Sequence, residues 1–169
     1  MIKSSLFGLL LMIGATVLQS TWLRAIEILS VVPDLPLLIL IYISFRNTLP
    51  KGQVIGFLSG FLQDSISVIP LGTTSLIQTA TAFAFNAFSG KFYIDKLLMP
   101  FLFAVAGTII KGLLSEVMQL FFSEFNVLSY SFFSHIFWLE MLYTAVLAPL
   151  VFFILGLMDR FLLGSEKHR

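Results

Sequence analysis

Six apolar runs divide the chain, separated by short polar connections: 4–23, 32–45, 53–69, 71–88, 97–122 and 133–157. The runs are continuous. A membrane barrel would show strands of about ten residues that alternate apolar and polar positions, so helices are predicted instead. A helix needs about 20 residues to cross a hydrocarbon core of about 30 Å. By that measure the second run is short, unless it begins back at Ile28. The third and fourth runs meet at Ile69-Pro70-Leu71-Gly72, which predicts a very tight turn. If one of these three segments were only re-entrant, the count would fall to five. Lys3 ahead of the first run mimics the start of a signal peptide. The residues that follow, Gln19-Ser20-Thr21-Trp22, offer no small-x-small cleavage site, so the run is read as a span.

The pattern predicts an all-α polytopic membrane protein, a compact bundle of about six helices in one domain, 1–169, with a short tail at 158–169. Charge in the connections favours six spans over five. Lys3, Arg46, Lys51, Lys91, Lys96, Arg160, Lys167 and Arg169 all fall on one side if there are six, and only Arg24 falls on the other. The positive-inside rule then puts both termini and the tail in the cytoplasm. Aromatic residues agree, with Trp22, Trp138, Phe125, Tyr130 and Phe132 at the outer interface and Tyr93 at the inner one.

Polar and small residues within the runs fall at helical spacing. One face of the first reads Ser5, Gly8, Ala15, Gln19. One face of the third reads Gln53, Gly56, Gly60, Asp64, Ser67, and one of the fourth reads Ser75, Gln78, Ala82, Asn86. Small residues let helices approach closely, so Gly56-x-x-x-Gly60 is a face for packing within the bundle or against a partner. Asp34, Asp64, Lys111, Glu116 and Glu140 form a candidate intramembrane charged cluster. All four acids fall in the outer half under the six-span topology, and Lys111 lies nearer mid-helix. A lone lysine at that depth costs on the order of 3 kcal/mol, so it requires a partner. Glu116 is five residues on, about 140° around the helix, and poorly placed. Asp64 is the first candidate, followed by Asp34 or Glu140. Such a cluster serves either as a proton or substrate path or as an interhelical clamp. The clamp is preferred, because acids near the outer face also reach water.

Composition narrows the chemistry. The chain is 58% hydrophobic and 11% charged, whereas soluble domains carry about a quarter charged residues. Its mean hydropathy is +0.99. A net charge of +1 gives no basic field for nucleic acid. Without cysteine there are no disulfides, thiolate metal sites or iron–sulfur clusters. His135 and His168 match no metal-ligand spacing. No Ser-His-Asp set and no phosphate loop is present, and Asp34 and Asp64 lack the flanking glycines expected of an intramembrane aspartyl protease. No enzyme, cofactor or metal is expected.

From Val32 onward a recognisable pattern emerges. Pro33-Asp34 opens the second run. A basic turn follows it, then Gly56-Phe57-Leu58-Ser59-Gly60-Phe61-Leu62-Gln63-Asp64, then Pro70-Leu71-Gly72. This resembles the rod shape-determining protein MreD family, whose motif positions map here to Pro33, Asp34, Gly56, Gly60, Asp64, Leu71 and Gly72. Lys111, Glu116 and Glu140 map to no family motif. The resemblance implies a fold similar to the substrate-binding subunits of energy-coupling-factor transporters. It also implies a non-enzymatic role in the bacterial inner membrane, within the complex that organises or activates peptidoglycan synthesis during cell elongation. The implied partner is MreC, a single-span protein, with MreB filaments, the RodA polymerase and a penicillin-binding transpeptidase in the same assembly. Two other functions remain open. One is the small-molecule-binding subunit of an energy-coupling-factor-type vitamin transporter. The other is a small proton-coupled carrier using Lys111 and the acids, which would need to dimerise.

Overall fold

A computed structural model describes residues 2–22, 31–47, 50–67, 70–89, 98–121 and 134–159. A helix occupies each of the six apolar runs: α1 Ile2–Thr21, α2 Leu35–Arg46, α3 Lys51–Ile66, α4 Thr73–Ala87, α5 Leu98–Phe121 and α6 His135–Leu157. Of these, α1, α5 and α6 are long and apolar enough to cross a membrane, and α2 is a shorter apolar helix. Arg24, Lys91, Tyr93, Lys96, Phe125, Tyr130, Phe132, Arg160, Lys167, His168 and Arg169 lie outside the described residues.

The short second helix is the centre of the bundle. It packs against all five other helices. Its ten consecutive residues Pro36 to Phe45 are all buried. That explains the almost wholly apolar sequence, since a helix enclosed by protein has no polar face. At 12 residues it is about 18 Å long. Its length need not match the bilayer, because other helices surround it.

The chain enters α2 through a buried, non-helical stretch at Val31–Asp34. Irregular backbone at membrane depth is tolerated only where its polar groups find partners inside the protein. Here they do. Pro33 and Pro36 have no N–H to satisfy. The Asp34 N–H donates to Thr144 Oγ1 at 3.1 Å. Asp34 Oδ1 accepts from the Leu37 N–H at 3.0 Å, capping the helix. The Pro-Asp pair is therefore a way to start a helix inside the bundle.

Successive helices run in opposite directions, as the contacts at their ends show. Gln63 near the end of α3 reaches Thr16 near the end of α1, and Asp64 reaches the start of α4. At the opposite end, Asn86 of α4 donates to the carbonyl of Asn47, the C-cap residue of α2, at 2.6 Å. The closest pair is α3 with α4. A Cβ added at Gly60 would lie 2.5 Å from Ser75 Cα, and one at Gly56 would lie 3.1 Å from the Gln78 carbonyl oxygen. The small-residue face of α3 is thus filled by the chain's own α4. The tight turn between them passes through Gly72, whose φ of +97° suits glycine. Large apolar side chains cover much of the exterior, among them Leu10, Val17, Phe61, Phe83, Leu113, Leu142 and Phe153.

Candidate functional site

Asp34, Asp64, Glu140 and, further into its helix, Lys111 lie toward the end of the bundle where α1 and α3 finish and α2, α4 and α6 begin. Lys111 on α5 is the hub. Its Nζ donates to Asp34 Oδ2 at the head of α2 and, at 3.0 Å, to Glu140 Oε1 on α6. Asp34 and Glu140 are 8% and 7% exposed, so this one cation is held between two buried carboxylates and ties three helices together. Glu116 sits half-buried five residues further along α5.

Asp64, the expected first partner of Lys111, has a different task. Its carboxylate accepts from the backbone N–H groups of Gly72 and Thr74 at 3.0 Å each and of Ser75 at 3.1 Å. The first turn of any helix leaves N–H groups without intrahelical partners and carries partial positive charge. Gly72, at the N-cap of α4, has no side chain to help. Asp64 of the preceding helix caps α4 in its place. The sequence expectation placed Asp64 by depth alone, and depth does not reveal that a helix start eight residues on competes for the carboxylate.

Beside the charged hub lies a cavity of about 450 Å³ between the ends of α1, α3, α4 and α5 and the head of α2. Gln19, Gln63, Gln78, Thr74, Asp34 and Lys111 line it, with an apolar wall that includes Val32, Leu37 and Ile77. One hydrogen-bond relay crosses it. Ser59 Oγ donates to Gln78 Oε1 at 2.6 Å, Gln78 Nε2 to Gln63 Oε1 at 3.3 Å, Gln63 Nε2 to Thr16 Oγ1 at 3.1 Å, and Thr16 Oγ1 to the Met12 carbonyl at 2.9 Å. Gln63 lies on α3 beside Asp64, where the sequence pattern singled out only its neighbour.

The far end of the bundle holds a second polar cluster that sequence reasoning missed. Arg46 pairs with Asp159, and the Tyr42 hydroxyl donates to the same carboxylate, joining the end of α2 to the end of α6. The available signal was positional: Arg46 and Asp159 each close an apolar run, on the same side of a six-helix topology. Among the described residues, no group of three His, Cys, Asp or Glu side chains could hold a metal ion.

Ion pairs turned inward, a largely apolar exterior and three helices long enough to cross a bilayer define an integral membrane protein of the helical-bundle class. Trp22 and Trp138, both exposed, sit at one end of it, as interfacial aromatics do. The family model of the rod shape-determining protein MreD matches residues 1–161, and the chain belongs to that family. Comparison with curated proteins and with solved structures finds no match in either.

Proposed function

We propose that this chain is a non-enzymatic inner-membrane component of the bacterial cell-elongation complex, acting by intramembrane binding to MreC. MreB filaments, RodA and a penicillin-binding transpeptidase are the further partners of that assembly. All six helices span in this reading. Both termini are cytoplasmic, and the Asp34–Lys111–Glu140 end faces outward. The observation that carries it is the family match over nearly the whole chain.

The geometry refines how a partner would bind. Gly56 and Gly60 are occupied by α4. A single-span helix must therefore meet one of the exposed apolar faces rather than that small-residue stripe. The charged hub is the clamp that keeps those faces in place.

The polar cavity favours a second reading, a vitamin-binding subunit of an energy-coupling-factor-type transporter. Purification of the full chain in mild detergent, followed by identification of the proteins that accompany it, separates the two. An MreC-like bitopic protein is the expected companion. Recovery of transporter ATPase subunits in its place would overturn the proposal.

A further inference from the structure

We propose that the cavity beside Lys111 is a binding site for an uncharged, hydroxyl-rich group, a sugar ring or comparable polyol, presented either free or as the headgroup of a glycolipid. This goes beyond the proposed scaffold role and does not depend on it.

Size comes first. A cavity of about 450 Å³ falls among those that enclose small ligands. Charge comes next. The one cation lining it, Lys111, is already held by Asp34 and Glu140. A phosphate or carboxylate would have to compete with two carboxylates for Lys111 and sit near both. A cationic ligand would have to displace Lys111 from them. A neutral ligand meets neither cost.

Hydrogen-bonding capacity then selects among neutral ligands. In the relay, Gln63 and Gln78 each use one of two amide hydrogens and one of two carbonyl lone pairs. Each amide therefore retains a donor and an acceptor among the described residues. Gln19 brings a further amide, and Thr74 a hydroxyl. Side chains that offer donor and acceptor together match hydroxyl groups, which do the same. The apolar wall of Val32, Leu37 and Ile77 suits the C–H faces of a ring. Polar side chains of this number are costly at membrane depth unless water or a ligand satisfies them. Access is available at the rim, where Ser20 is exposed.

The test is native mass spectrometry of the full chain in detergent. The probes are glucose and monoglucosyl diacylglycerol, with diacylglycerol and phosphatidylglycerol as comparators. Binding of the glycolipid above both comparators supports the site with a lipid-borne headgroup, and binding of glucose supports it with a free sugar. Gln63→Leu should weaken that binding about tenfold, the loss of about one hydrogen bond to a polar ligand. Gln19→Ala at the rim should weaken it about threefold and serves if Gln63→Leu fails to fold. The proposal is overturned if glucose does not bind and the glycolipid binds no better than phosphatidylglycerol, or if the folded variants bind as the unaltered chain does.

Discussion

Removing the Asp64 carboxylate should unfasten α4 from α3, and the structure allows its cost to be worked out. Asp64 is 1% exposed and accepts three backbone N–H groups. Asp64→Ala leaves all three without a partner. A buried donor left unsatisfied costs about 1–3 kcal/mol. Ser75 is fully buried and incurs that in full, whereas Gly72 and Thr74 are half-buried and recover part of it from water. The loss of favourable charge at the start of α4 adds about 0.5 kcal/mol. Together these predict a destabilisation of about 3–5 kcal/mol. Asp64→Asn keeps one acceptor oxygen but turns an amide N–H₂ toward the N–H donors, and should cost about half as much. Reversible denaturation of the detergent-solubilised chain, followed by Trp22 and Trp138 fluorescence, measures both. Hydrogen exchange should show the loss concentrated in the first turn of α4. An Asp64→Ala variant within about 1 kcal/mol of the unaltered chain would refute the capping role.

Lys111→Met leaves the Asp34 and Glu140 carboxylates facing each other without their shared cation. It should cost about 3–5 kcal/mol in the same denaturation assay, and adding Glu140→Gln should recover part of that. Gly60→Ala places a Cβ against Ser75 backbone and should destabilise by about 3 kcal/mol. Gly14→Ala meets nothing within 4 Å and should be neutral, or stabilising by up to about 1 kcal/mol. Arg46→Ala should raise hydrogen exchange at the ends of α2 and α6 while leaving the Lys111 end unchanged, because the two polar clusters lie at opposite ends of the bundle.

The positions of the helices were legible because lipid-facing and protein-facing segments both demand long apolar runs, whose boundaries polar residues mark. The central place of α2 was not read from the sequence, although the pattern is consistent with it. Its shortness raised a doubt about spanning, but its lack of any polar stripe is what a helix buried on every side requires. The need for a Lys111 partner was also legible, since an isolated charge at that depth is too costly. Which acid it takes was not. Sequence gives depth along each helix but not rotation about its axis, and Asp64 turned out to be committed to backbone donors. The glycine pair posed the same problem: small residues announce close packing without naming the neighbour. The cavity and its glutamine relay draw side chains from several helices, and no local motif records such a meeting.

If this membrane bundle determines cell shape, cell morphology must change on its depletion. A rod-shaped host depleted of the chain should round up, and expression of the full chain should restore the rods. Depleted cells that keep their cylindrical shape while losing uptake of a vitamin would rule out a shape-determining role and favour a transporter subunit.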